Sequence, residues 1–307
     1  MNLPPRPASL ANRTAPKMRP VSQGQTRRSV VLSTAAGAAL TALRSFAKVR
    51  GIELGVTGKP DDLAKCEQYG FDYLEPSGSG IAGMTDTAFA AFRDQVKASH
   101  IYCQSVITLI SNPKLKVVGP DVDLDAVSSY LDSTLDRCKS LGVSVAVWGS
   151  AGSRRVPEGY SRDTAWDQIK AYLKRAGEIA KSKQIVIGIE PLRKQESNII
   201  NTGAEALKLV HEVNHPGVKM IIDYYHMRIE NEDPEIVRTA KEYIVHLHFA
   251  NPAGRRWPHS ADEDPVYAKF FQILKEIDYH GGLSIEGNGS FDADGAASMA
   301  FFKSELA

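Results

Sequence analysis

Four strand-like segments in the second half of the chain each end in a side chain able to bind a metal: QIVIGIE at Glu190, VKMIID at Asp223, IVHLH at His248 and GGLSIE at Glu286. Three carboxylates and one imidazole make an oxygen-dominated donor set. It suits a divalent ion of intermediate hardness, Mn²⁺ first, with Co²⁺, Mg²⁺ or Zn²⁺ as alternatives. One acidic strand end usually serves an ordinary loop hydrogen bond. Four in succession, about 25 to 40 residues apart, outline a metal site at the mouth of a parallel barrel.

Four protein ligands on a six-coordinate ion leave two positions for adjacent oxygens of a sugar, a carbonyl and its neighbouring hydroxyl. The ion would polarise the carbonyl and stabilise the enediolate left when a proton departs from the next carbon. Inverting that carbon needs a base on one face and an acid on the other. Glu190 and Glu286 come from strands separated by two others, so they can flank a bound sugar and are the expected pair.

The elements that must position these groups are visible in the alternation of the chain. Apolar β-type runs at Ile52–Thr57, Phe71–Glu75, Ile101–Leu109, Val143–Trp148, Ile185–Glu190, Val218–Asp223, Ile244–Phe249 and Gly282–Glu286 give eight strands. Between them, Leu124, Val127, Leu131, Leu135, Cys138 and Leu141 recur at helical steps, as do Trp166, Ile169, Leu173, Ala176 and Ala180. Eight strand–helix repeats in about 250 residues fit an α/β (β/α)₈ TIM barrel better than a doubly wound sheet of five or six strands. ELGVTGKPDD after the first strand lacks a Gly-rich dinucleotide fingerprint. Strand alternation turns Val186, Gly188 and Glu190 toward the barrel axis, and likewise Ile221 with Asp223, His246 with His248, and Ser284 with Glu286. His246 is expected one layer deeper, as a buried group hydrogen-bonded beneath the metal. Trp148 and Glu75, at the ends of the fourth and second strands, are candidate substrate contacts, a ring for stacking and a hydrogen-bonding carboxylate.

The first 47 residues carry seven basic residues and no acid, leaving 30 bases against 36 acids in the remainder. An acidic body argues against nucleic acid as a partner, and with it abasic-site DNA cleavage. Arg27 and Arg28 precede an apolar run from Val30 to Leu43, then Arg44 and the small-residue end Ser45-Phe46-Ala47. That run is shorter than the about 20 residues a bilayer span needs, so no stable membrane insertion is expected. The pattern resembles a bacterial twin-arginine export signal, which implies export to the periplasm, with a cytoplasmic enzyme as the outcome if the leader is silent. Residues 1–47 are therefore expected to be a disordered leader with this signal, and 48–307 the barrel. Cys66, Cys103 and Cys138 have neither metal nor disulfide spacing and are expected to pack in the core.

EPLRKQESNIINT from Glu190, DYYHMRIE from Asp223, HLHFANPAGRRWP from His246 and SIEGN from Ser284 resemble, in segment order, the xylose-isomerase-like TIM barrels. Within them the chain is most similar to the D-tagatose and D-psicose 3-epimerase branch. The resemblance implies that Glu190, Asp223, His248 and Glu286 bind the metal, that Glu190 and Glu286 double as acid and base, and that Glu196, His226 and Arg255 contact substrate oxygens. It also implies a small sugar substrate and homo-oligomers as a common state. One departure stands out. Where those epimerases carry a Gly-Glu pair soon after the ligand histidine, this chain has Phe249-Ala250-Asn251-Pro252-Ala253 and a length change before Arg255. A dehydratase or lyase acting on 3-keto-glycosides would use the same parts, and a non-catalytic sugar-binding barrel is the third reading.

Overall fold

A computed structural model of the chain describes residues 51–307. The expected leader and export signal lie outside the described residues. Eight strands follow in order: β1 Glu53–Thr57, β2 Tyr73–Glu75, β3 Ser105–Val106, β4 Val145–Trp148, β5 Val186–Ile189, β6 Val218–Asp223, β7 Ile244–Phe249 and β8 Gly282–Ile285. Every pairing between them is parallel, in the order β2-β1-β8-β7-β6-β5-β4-β3. The circle closes between β2 and β3 through isolated bridges, Tyr73 to Tyr102 and Ser77 to Ile107. The chain therefore forms the eight-stranded α/β barrel that its alternation predicts.

Two strand boundaries differ from the sequence reading in a way that matters. Glu190 and Glu286 each stand one residue beyond their strand, where the chain has left the ladder and a side chain can turn over the mouth. The third strand shrinks from the expected Ile101–Leu109 to two residues, because its pairing with β2 breaks into separate bridges and Thr108 adopts φ +49°.

Inside the barrel, Val145, Val147 and Ile221 form a small apolar layer with Val245. The β6–β7 register shifts between Met220 and Ile221, which pair with Ile244 and His246, so Val245 is skipped by the ladder and joins this layer. Above it the inward positions become polar. Outside, the helices cover the sheet with the apolar stripes read from sequence. Leu124–Ser140 buries Val127, Leu131, Leu135 and Cys138, and Arg162–Ser182 buries Ile169, Leu173, Ala176 and Ala180. Side-chain oxygens of Asp123 and Ser161 accept from backbone N–H groups in the first turns of these helices, fixing where each begins.

Phe249 points outward from the end of β7 into a nest of aromatic rings, stacked on Tyr224 at 4.6 Å and surrounded by Tyr267, Phe270, Phe271, Phe301 and Phe302. Because neighbours on a strand face opposite ways, this anchoring holds His248 inward. Cys66, Cys103 and Cys138 are buried and unpaired, with their thiol pKa values pushed up by burial, as packing residues would be. Among the described residues no helix is long and apolar enough to cross a membrane.

Candidate metal and sugar site

Strand register sets the site. Asp223 pairs with His248 across β6 and β7, and His248 pairs with Ser284 two residues before Glu286. Glu190 enters from β5. Donor atoms of Glu190, Asp223, His248 and Glu286 all lie within 4.8 Å of one another, so the four expected ligands do converge. His248 Nδ1 is 3.0 Å from Glu190 Oε1 and 2.9 Å from Glu286 Oε2. The second approach lacks hydrogen-bond alignment, and Glu286 Oε2 and Asp223 Oδ2 are buried oxygens without a donor.

Buried carboxylate oxygens without donors are costly unless something else satisfies them. The donor set fits a divalent cation on this observation, with hard oxygens from three acids and one imidazole nitrogen. Asp223 Oδ1 is already engaged, accepting from the backbone N–H groups of Tyr225 and His226 and so capping the helix Tyr224–Ile229. That cap fixes the carboxylate and leaves Oδ2 facing the site. Glu190 fits because Gly149 has no side chain, since a Cβ there would lie 2.0 Å from Glu190 Oε2.

The carboxylates are electrostatically unequal. Burial, reinforced by the nearby charge of Glu286, pushes the Glu190 pKa up, although His248 pulls against it. Burial also acts on Glu286, but His248 and Arg255 outweigh it and hold that carboxyl down at about 2. Burial disfavours a charge on His248, yet Glu75, Glu286 and Glu190 around it raise its pKa well above the ordinary imidazole value. The surrounding carboxylates thus favour the charged form of this imidazole.

Around this centre sit the expected substrate contacts. His226 is buried, accepts at Nδ1 from the Arg193 backbone N–H at 3.2 Å, and therefore carries its proton on Nε2. That Nε2 has no hydrogen-bond partner and stands 3.6 Å from Asp223 Oδ2 and 4.0 Å from Glu196 Oε2. Arg255 reaches Glu286 Oε1 at 2.9 Å, Glu196 Oε1 at 3.5 Å and Asp223 Oδ2 at 3.6 Å, with its guanidinium over the Tyr225 ring.

The altered loop after β7 explains how Arg255 arrives there. The Asn251 N–H donates to the Arg256 carbonyl, the Asn288 N–H donates to the Arg255 carbonyl, and Asn251 Oδ1 accepts from the Ala253 N–H. Arg255 itself has φ +51°, a left-handed conformation that costs of order 1–3 kcal/mol in a residue with a side chain. The loop is tied to the end of β8, and the strained residue is the one that reaches the carboxylates.

Two expected contacts are not brought to the mouth. Trp148 is fully buried on the helix side of β4, its ring 4.9 Å from Tyr172, under the Arg154 guanidinium, with Nε1 donating to Ser153. Its neighbour Val147 has the inward face, so strand alternation forbids Trp148 from stacking on a ligand at the axis. Glu75 does face inward, but it lies below the four ligands, with its oxygens 3.1 Å from His246 Nε2 and 3.3 Å from His248 Nε2. Glu75, His246 and His248 form a second cluster close enough for metal binding. Its three side chains are fully buried.

Two participants were not legible in the sequence. Arg154, in the short helix Ala151–Arg154, is completely buried and donates to the carbonyls of Trp148 and Glu190, clamping the ends of β4 and β5 together. In the sequence it is half of an unremarkable Arg-Arg pair. Arg193 binds Glu196 at 2.7 Å and lies over the other side of the contact network at Tyr225. No local pattern distinguishes either from a solvated surface arginine.

Residues 63–304 match the xylose isomerase-like TIM barrel family, and the chain belongs to it. An L-ribulose 3-epimerase from Methylomonas sp. is 33% identical over 137 residues, covering 44% of this chain and 46% of that protein. The chain thus spans about half the length of that relative. A D-psicose 3-epimerase from Ruminiclostridium cellulolyticum is 26% identical over 233 residues, covering 73% of this chain and 76% of the other. Among solved structures, a D-allulose 3-epimerase from Methylomonas sp. in complex with D-allulose superposes with a TM-score of 0.72 at 23% identity, covering 85% of this chain and 99% of the other, a likeness of fold. The two relatives matched by sequence are epimerases, hence enzymes of the isomerase class, in keeping with the enzyme expected from sequence and not with the eliminating alternative.

Proposed function

We propose that the chain is a metal-dependent keto-sugar 3-epimerase working by proton transfer beside a carbonyl. The observation that carries this reading is the convergence of Glu190 and Glu286, from strands with two others between them in the barrel order, on the same nitrogen of His248. Glu190, Asp223, His248 and Glu286 would hold one divalent ion, Mn²⁺ first among the candidates. When bound, the ion supplies Lewis-acid stabilisation of negative charge on adjacent sugar oxygens.

The chain's own residues supply the rest. One of the two glutamates takes the proton from the inverted carbon while the other returns one to the opposite face, and the reverse reaction exchanges their roles. Their unequal pKa values, up for Glu190 and down for Glu286, bias which carboxyl holds the proton before substrate enters. The unpartnered Nε2–H of His226 can donate to a sugar oxygen, Arg255 can do the same from the other side, and Glu196 can accept from a hydroxyl. The leader supports a second part of the reading, export by the twin-arginine route to the periplasm, with residues 48–307 as the folded cargo.

Incubation of the Mn²⁺-loaded protein with D-psicose, D-tagatose and L-ribulose in deuterated water tests the mechanism. The expected result is deuterium at the inverted carbon and a product with the formula of its substrate. A loaded enzyme that exchanges no carbon-bound proton on any ketose overturns it, and a product short of one water would move the chain to the lyases. For export, the N-terminus of protein recovered from a periplasmic fraction should map near Ala47, and loss of the Arg27-Arg28 pair should trap the full chain in the cytoplasm.

A further inference from the structure

Among the described residues, Glu75 is the one acid without any solvent exposure, and the proposed chemistry leaves it unused. It lies on the opposite side of His248 from the mouth, contacting His248 Nε2 through both oxygens at 3.3 Å, while Oε2 is also 3.1 Å from His246 Nε2. An ionised carboxylate only accepts, so both imidazoles must donate from Nε2. A neutral His248 then has a single lone pair, and it resides on Nδ1, the nitrogen facing Glu190 and Glu286.

His246 is fixed from several sides. Its Nε2 also lies 3.4 Å from Ser105 Oγ and 3.3 Å from Ser284 Oγ, and Ser284 Oγ is tied to the Tyr73 hydroxyl at 2.7 Å. Behind the ring, a Cβ at position 282 would be 2.9 Å from His246 Nδ1, so Gly282 lets the β8 backbone press against it. The carboxylate is thereby held by a packed inner layer and, in turn, holds the His248 ring.

The geometry points to Glu75 as a positioning residue that commits His248 to bind the cation through Nδ1, an inference that rests on the four-ligand site proposed above. The competing use of these atoms is a second ion held by Glu75, His246 and His248. That use would require Nε2 of His248 to be a lone pair while Nδ1 serves the upper site, which a neutral imidazole cannot provide. Glu75 therefore accepts the proton-bearing nitrogen and does not bind metal.

Calorimetric titration of chelator-stripped full chain with MnCl₂ is the direct test. The wild type should take one ion, and Glu75→Gln should still take one, with affinity lower by about 10- to 100-fold, the usual loss when an outer partner of a metal-bound histidine is altered. Two ions in the wild type and one in the variant would make Glu75 a ligand and overturn the assignment. So would an affinity unchanged within about twofold, or a rise in ketose KM with metal affinity intact, the mark of a substrate contact. Because the variant could misfold, Co²⁺-loaded wild type supplies an independent reading: its proton NMR spectrum should show a hyperfine-shifted imidazole N–H that exchanges slowly with deuterated water. Absence of that resonance in protein carrying one Co²⁺ overturns the proposal. Wild type that binds no ion refutes the four-ligand site itself, whereas one bound ion with an indifferent Glu75 refutes only this inference.

Discussion

Two carboxylate clusters meet the two nitrogens of His248 and differ in how their atoms are satisfied. On the mouth side, Asp223 Oδ2 and Glu286 Oε2 have no donor, and the Glu286 side chain is about one-fifth exposed. On the inner side, both oxygens of Glu75 accept from imidazoles, and Glu75, His246 and His248 have no solvent exposure. The one unpartnered atom there is His246 Nδ1, pressed by the β8 backbone at Gly282. The upper cluster offers spare lone pairs to something that enters. The lower one spends its lone pairs holding a ring in place. One histidine can belong to both because its two nitrogens play opposite hydrogen-bonding roles.

The hardest blow to the upper cluster is loss of an acid or base. Glu190→Gln and Glu286→Gln should each lower kcat by about 10² to 10⁴, the range for general acid–base groups, measured as ketose turnover under saturating Mn²⁺. Full turnover in both would remove the pair from the chemistry. Next in size is the outward anchor of His248: Phe249→Ala empties an aromatic nest and should cost about 3–5 kcal/mol in urea unfolding. A cost near zero would mean that β7 is held by something other than its aromatic face.

The electrostatic half of the comparison is read by pH. In the metal-free protein the His248 pKa is raised above its unfolded value, so its charge stabilises the fold fully below about pH 6.5 and that contribution disappears as pH rises through the folded value. Tm of the stripped protein should therefore fall on the alkaline side, while the Mn²⁺-loaded protein, whose His248 Nδ1 is already deprotonated, should not share the decline. Mn²⁺ binding at neutral pH should correspondingly release about one proton, visible as a dependence of binding heat on buffer ionisation enthalpy. No release would place the proton elsewhere.

Smaller effects sharpen the boundaries of the site. Gly149→Ala should drive Glu190 from its seat, costing about 1–3 kcal/mol of stability and a fall in Mn²⁺ affinity, since its Cβ meets Oε2. Trp148→Phe removes the Nε1 bond to Ser153 and shrinks a fully buried ring beneath Arg154, and should cost about 1–3 kcal/mol with ketose KM unchanged. A raised KM there would return Trp148 to the mouth.

Legibility followed the range of the interaction. Strand alternation is a local period, so the inward set Glu190, Asp223, His248 and Glu286 could be read without coordinates, as could the buried stripes of the two long helices. The same period argues against Trp148 at the mouth, because Val145 and Val147 take the inward face of β4. Glu75 was recognised as a strand end, but its depth depends on how far the second strand is staggered against the seventh, which no single segment records. Arg154 and Arg193 carried no signal at all, since a buried arginine and a solvated one look alike until the strand ends they bridge are neighbours.

The sequence by itself determined the eight strand–helix repeats, the four converging donors and their chemistry, because residue type and period are local properties. Only the tertiary structure decided which nitrogen of His248 faces the ligands, that Glu75 and His246 support it from beneath, and that a tied, strained loop swings Arg255 over the carboxylates. Those outcomes depend on barrel stagger and on contacts between residues scores of positions apart, where the order of letters sets no distance.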